Sequence, residues 1–215
     1  FYMLSEKEIS EILNDLYLFY RVFITSKYET DVEAPHIDKL SEELTALTLG
    51  EYERLCVAMP PRHSKSSMVT LAYPLWLIFQ NPHLNILIVS NEASLAETFG
   101  IKLREYIKKY GAYFGVHLSE SKHSSTHLMF EDKKGLAGSI KLVGANGSIT
   151  GRDADYIIID DPYKGFEDIT PTLLQKRIDW FDTIIEQRIE SHTKLAILHT
   201  LSLIHISEPT RRVVI

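Results

Sequence analysis

Apolar residues recur at helical spacing over residues 5–25, where Ile9, Ile12, Leu13, Leu16, Phe19 and Tyr20 share one face. The stretch opens on Ser5 with Glu8 three positions later, the signature of a capping box, so a helix is predicted here. A polar stretch to Pro35 follows, then a second helical pattern from His36 to Leu47, closed by Gly50. Beyond it the period changes repeatedly. An apolar strand (Leu55–Met59), a helix (Ser64–Phe79), a strand (Asn85–Ser90) and a helix (Ala93–Tyr110) ended by Gly111 succeed one another. Such alternation predicts an α/β domain with a mostly parallel central sheet flanked by helices. The runs His127–Glu131 and Ser139–Val143, joined by the turn Asp132-Lys133-Lys134-Gly135, read as an inserted β-hairpin carried on that sheet. After a glycine-rich loop from Gly144 to Gly151 come the most apolar strand, Tyr156–Ile159, an amphipathic helix, Leu173–Glu190, and a last strand, Lys194–His199. On the last helix, Ile178, Phe181, Ile185 and Ile189 form a predicted core-facing stripe that leaves Arg188 a structural role.

Composition narrows the class without changing this layout. The chain has 215 residues, enough for one domain with a substantial core. No run is long and apolar enough to span a bilayer, and the first residues, FYMLSEKEIS, lack a basic start and a cleavage site, so a cytosolic protein with no membrane partner is expected. The single cysteine, Cys56, sits in the apolar run LCVAM, where a buried, inert thiol is expected. The formal net charge is −6, which argues against DNA binding driven by overall charge. Local basic clusters remain, with Lys102, Arg104, Lys108 and Lys109 on one predicted helix and Lys133 and Lys134 in a turn; such clusters are more often solvated faces.

Two segments carry chemistry. Phosphate cradles form where a buried strand turns sharply into a helix, whose first N–H groups and dipole favour an anion. Met59-Pro60-Pro61-Arg62-His63-Ser64-Lys65-Ser66 lies at such a junction. Laid on the G-x-x-x-x-G-K-[ST] template, it keeps Lys65 for the β- and γ-phosphates and Ser66 for magnesium, with Met59 and Ser64 in place of the two glycines. Alone it reads as a proline-capped helix start with a surface lysine. The second segment is Tyr156-Ile157-Ile158-Ile159-Asp160-Asp161, an apolar strand ending in two carboxylates. A strand tip holds a carboxylate rigidly beside a metal, and the next residue can orient an attacking water, so Asp160 is the candidate metal-side acid and Asp161 the candidate water-positioning acid. Without Lys65 upstream, Asp-Asp-Pro simply opens a turn.

Taken together, PPRHSKS, GANGSITGRDADY, IIIDDPYK and QKRIDWFDTIIEQRI, in this order and spacing, resemble the large terminase subunits of tailed bacteriophages over about residues 36–200. In that family the first motif is usually spelled PPRHGKS, so Ser64 stands where a glycine is common. The resemblance implies a RecA/ASCE-like P-loop NTPase that uses ATP and Mg2+, with Pro61, Arg62, His63, Ser64, Lys65, Ser66 and Ser67 around the phosphates and Ser66 and Asp160 at the metal. It implies that Arg62 acts as an arginine finger in cis and that Arg152 senses nucleotide or reaches a neighbouring subunit's nucleotide; the plainer reading of Arg152 is a pair with Asp153 or Asp155. His36 and Pro35 are candidates for an adenine pocket on the same ground, and Asn91 for holding water or phosphate, a helix N-cap being its plainer role.

The implied activity is ATP hydrolysis that drives double-stranded phage DNA into a procapsid, in a homo-oligomeric ring that meets the portal protein and the small terminase subunit in the cytoplasm of the infected bacterial host. A helicase-like DNA translocase and a catalytically weak nucleotide-binding scaffold are the alternatives. Residues 1–34 are expected to form a helical extension and 35–200 the ATPase domain. The segment 201–215, LSLIHISEPTRRVVI, resembles a translated sequencing adapter and is expected to be non-native. No acidic cluster of the kind these proteins place in a C-terminal nuclease domain follows Thr200, so no nuclease activity is expected of these residues.

Overall fold

The computed structural model describes residues 5–25, 34–119, 124–132, 135–145, 147, 154–162 and 170–200. Helix α1 (Glu6–Asn14) opens with the expected capping box, Ser5 accepting from the Glu8 N–H while Glu8 accepts from the Ser5 N–H. The expected single helix over 5–25 is broken at Asp15, whose extended backbone and side chain cap a new start at α2 (Leu16–Phe19), continued as a π-helical turn, Tyr20–Ile24. The acid satisfies the Leu18 N–H more readily than a mid-helix position would allow. Helix α3 (Pro35–Leu49) begins with proline in its first turn and ends on Gly50 at φ 81°, the left-handed stop that glycine adopts without penalty.

The alternating core follows the predicted order. Strand β1 (Arg54–Met59) leads through residues 60–64 to a helix whose first part, Ser67–Ala72, is π-helical and whose remainder is α4 (Tyr73–Gln80). Strand β2 (Asn85–Ser90) and helix α5 (Ala93–Tyr110) occupy the predicted ranges. Gly111 caps the end of α5 as expected, in right-handed backbone, and opens a 3-10 turn, Gly111–Phe114, that Gly115 closes at φ 68°. Strands β3 (His117–Leu118), β4 (His127–Asp132), β5 (Gly135–Gly144), β6 (Tyr156–Asp160) and β7 (Lys194–Thr200) complete the sheet. Helix α6 (Pro171–Trp180) passes into a π turn, Phe181–Ile185, and a 3-10 turn, Glu186–Arg188.

All seven strands form one sheet in the order β1-β7-β6-β2-β5-β4-β3. Pairing from β1 through β5 is parallel, while β3 and β4 are antiparallel additions at one edge. The hairpin is therefore part of the sheet: β5 pairs with the central β2, and β4 extends from it. Period-two alternation sorts the strands between two cores. Ile86, Ile88, Ile158, Ala196 and Leu198 face a large cluster containing α1 to α5, and Leu87, Val89, Ile157, Ile159 and Leu195 face a smaller one that includes Ile185. The N-terminal helices are bound into the first cluster through Leu16, Phe19 and Phe23. This is the mostly parallel α/β sheet flanked by helices of a RecA/ASCE-like P-loop NTPase.

Two burial expectations fail. Cys56 is exposed, because β1 is an edge strand and only its Leu55-Val57-Met59 face meets the core. Ile178 is 43% exposed although Ile185 is fully buried. The intervening π turn advances the chain by a smaller angle per residue than an α-helix and shifts the apolar stripe out of phase.

Candidate active site

The parallel strands bring three C-terminal tips side by side: Met59 of β1, Thr200 of β7 and Asp160 of β6. Polar groups from all three segments meet there, in the crevice at the carboxyl end of a parallel sheet where such folds take ligands. Pro61, Arg62, His63 and Ser64 are exposed and form the turn out of β1. Arg62 (φ 64°) and Ser64 (φ 61°) both adopt the left-handed conformation. A non-glycine residue there costs about 1–2 kcal/mol, so Ser64 occupies a backbone position that glycine fills without strain. Met59, by contrast, is a buried strand residue, and the turn begins after it. His63 donates from Nδ1 to the Pro61 carbonyl at 2.8 Å, and its ring meets His36 edge to face at 5.7 Å.

Lys65 is no surface lysine. It is 7% exposed, and its Nζ donates to Asp161 Oδ2 and to Thr200 Oγ1, both at 2.5 Å. Thr200 in turn donates to Asp161 Oδ2. Asp161 holds a left-handed backbone (φ 47°), and its N–H donates to the Leu198 carbonyl at 3.0 Å. Aspartate is among the few non-glycine residues that enter this region readily, and such backbone gathers at functional sites.

Asp160 lies deeper, at 1% exposure. Ser66 Oγ donates to its Oδ1 at 3.1 Å and Thr70 Oγ1 to its Oδ2 at 2.8 Å. Burial pushes the carboxyl pKa up, and the two hydroxyls and the Lys65 charge oppose this only in part. A buried carboxylate whose nearest lysine is engaged by another acid is suited to a cation. Ser66 and Asp160 offer a hydroxyl and a carboxylate oxygen side by side behind the turn 61–64, which fits Mg2+, since that ion takes few protein ligands and completes its shell with phosphate and water oxygens. The residues present thus fit Mg2+ beside a phosphate group.

Of the predicted site residues, Lys65, Ser66, Asp160 and Asp161 come together, with Ser67 following on the helix and Pro61–Ser64 forming the rim. Arg152 lies outside the described residues, as do Asp153, Lys133, Lys134 and the segment 201–215. Helix α5 is preceded by Glu92 as its cap residue, so Asn91 does not cap it. Thr70 and Thr200 were not identified as site residues from the sequence. A threonine in an apolar helix or at a strand end carries no motif, and only the sheet order and the helix position bring these two to the acids. Ser90 is similar: it is fully buried at the β2 tip, in register with Asp160, and its Oγ has no hydrogen-bond partner among the described residues.

No protein-family model and no curated protein sequence matches the chain. Solved structures do. The large terminase of bacteriophage HK97 aligns over 87% of this chain and 37% of its own, at 11% identity and a TM-score of 0.57. The large terminase ATPase domain of Thermus phage P74-26 aligns over 92% of this chain and 70% of its own, at 13% identity and a TM-score of 0.52. A further large terminase, from a thermophilic bacteriophage, aligns over 73% of this chain and 37% of its own at a TM-score of 0.49. The chain spans little more than a third of the two whole large terminases, and the likeness at these identities is one of fold.

Proposed function

We propose that this chain is an ATP-hydrolysing motor domain of the kind found in phage large terminases, coupling ATP hydrolysis to the packaging of double-stranded DNA into a procapsid. The observation that carries the reading is the convergence of Lys65, Ser66, Asp160 and Asp161, distant in sequence, on one crevice beside an exposed, left-handed turn. The fold likeness to large terminase ATPase domains supports the ATPase part, and the DNA-packaging role is the extension proposed from those proteins. On this reading the partners are phage DNA, the portal protein, the small terminase subunit and further copies of the chain in a ring, in the cytoplasm of the infected host.

Each residue's part follows from its position. The turn 61–64 and the helix start behind it cradle the phosphates with backbone N–H groups. Lys65 leaves Asp161 for the β- and γ-phosphates when nucleotide binds, which frees the Asp161 carboxylate to orient the attacking water. Thr200 bridges Lys65 and Asp161 and is placed to hold the acid during that exchange. Ser66 and Asp160 hold Mg2+, which when bound neutralises charge on the phosphates. Arg62, exposed on the turn, takes the part of an arginine finger in cis, and Arg152 the sensing or inter-subunit role.

Two variants test the assignment. Lys65→Ala should abolish Mg2+-dependent ATP binding, whereas Asp161→Asn should retain nucleotide and metal but lower steady-state hydrolysis by about 10²-fold or more, the usual scale of a lost general base. Equal ATP affinity in wild type and Lys65→Ala would refute the phosphate-loop assignment. Full turnover in Asp161→Asn would make this strand tip structural.

A further inference from the structure

Threonines within helices usually donate their hydroxyl to the backbone carbonyl one turn back. Thr45, Thr48, Thr98 and Thr183 all do so, to Ser41, Leu44, Ser94 and Asp179 at 2.5–2.9 Å. Thr70 departs from the pattern. Its Oγ1 crosses 90 residues of sequence to Asp160 Oδ2 at 2.8 Å. Thr70 is fully buried, inside the π-helical segment Ser67–Ala72. Ser66, one turn earlier and only partly buried, approaches the other carboxylate oxygen, Oδ1, at 3.1 Å. The two hydroxyls therefore divide the carboxylate: Oδ2 is held by the fully buried Thr70, and Oδ1 by Ser66, at the start of the helix that follows the turn 61–64.

We propose that Thr70 is a positioning residue that makes Asp160 a one-oxygen ligand and thereby selects Mg2+ over Ca2+. Calcium accepts carboxylates through both oxygens and tolerates irregular shells of six to eight ligands, whereas magnesium needs near-octahedral geometry and takes a carboxylate through one oxygen. A carboxylate pinned at Oδ2 by a β-branched side chain with a stiff χ1 suits the second ion and handicaps the first. This inference rests on the metal role proposed above for Ser66 and Asp160, and it adds the residue behind them that sets which ion they take.

The test titrates Mg2+ and, separately, Ca2+ into the chain in the presence of a fluorescent, non-hydrolysable ATP analogue, reading equilibrium binding rather than turnover. Wild type, Thr70→Ser, which keeps the hydroxyl, and Thr70→Val, which keeps the shape, are compared. Loss of an outer-shell partner usually lowers metal affinity about 10–100-fold. Thr70→Val should show that loss for Mg2+, with Ca2+ affinity unchanged or higher, and Thr70→Ser should restore the wild-type ratio. If both ions weaken equally in Thr70→Val, or if neither changes, the inference is wrong. Should Thr70→Val fail to melt cooperatively, Thr70→Ala, which leaves a small void rather than an apolar misfit, is titrated in its place against the same two outcomes. A wild-type chain that binds no nucleotide with either ion would instead overturn the function proposed above.

Discussion

Asp160 combines a charge with nearly complete burial, and the balance between them is measurable. The folded protein holds a proton on this carboxyl more tightly than the unfolded chain does, whose aspartate titrates near its ordinary value of 3.8. Below that value both states are protonated and the residue contributes no pH dependence. As pH rises through 3.8 and on through the higher folded pKa, the unfolded chain releases its proton first, so stability falls across that window and stays reduced above it. Asp160→Asn removes the penalty. It should melt at a higher temperature than wild type at pH 7, with the difference shrinking toward zero as the pH approaches 4, and thermal melts at a series of pH values check this. Saturating Mg2+ and nucleotide should reverse the order at pH 7, since they stabilise only a chain that binds them.

At the scale of elements, α5 shows a contact overruling a local preference. Gly100 lies mid-helix, where alanine would be favoured by about 1 kcal/mol. A Cβ built there would lie 1.7 Å from the Ser125 carbonyl oxygen and 3.3 Å from Leu142 Cδ1, so the missing side chain is what lets the helix lie against the segment before β4 and against β5. Ser125 also donates to Glu97 of the same helix at 2.9 Å, which ties that segment down. Gly100→Ala should therefore destabilise the fold by about 1–3 kcal/mol, the cost of overpacking, despite its better helix propensity. Urea denaturation reads the sign directly, and a higher midpoint for the alanine variant would show that the segment yields. Two of the π-helical segments act at the same scale: Ser67–Ala72 carries Thr70 to Asp160, and Phe181–Ile185 leaves Ile178 outside the core.

For the whole molecule, charge and strand order matter most. With a net charge of −6, contact with DNA must be local. Lys102, Lys108 and Lys109 are exposed on α5 and Arg104 is half-buried there, while Lys109 also stacks over the Tyr110 ring at 4.7 Å. Neutralising roughly three or four phosphates gives a slope of log affinity against log salt of about −3 to −4. The chain should hold double-stranded DNA weakly, without sequence preference and with that slope, measured by anisotropy on unrelated duplexes. A nanomolar, salt-insensitive complex would contradict it. Strand order acts on the site itself: because β7 lies between β1 and β6, Thr200 stands between the turn that follows β1 and the two acids.

Much of this architecture is local and was therefore legible in the chain. Apolar periodicity marked β2 and α5 at their observed limits, Ser5 and Glu8 marked the first cap, and Gly50 marked a helix end, because each depends on neighbours within a turn or two. The residue types at Lys65, Ser66, Asp160 and Asp161 were also legible, since a strand tip followed by a charged turn is a sequence-local pattern. The tertiary structure decided the rest. Parallel pairing leaves no mark of which strand lies beside which, so neither the place of β7 nor the exposure of Cys56 on the edge strand β1 followed from the sequence. Burial of Lys65 and the reach of Thr70 and Thr200 to their partners depend on contacts 39, 90 and 135 residues apart, and a threonine carries no sign of what it will meet at that distance.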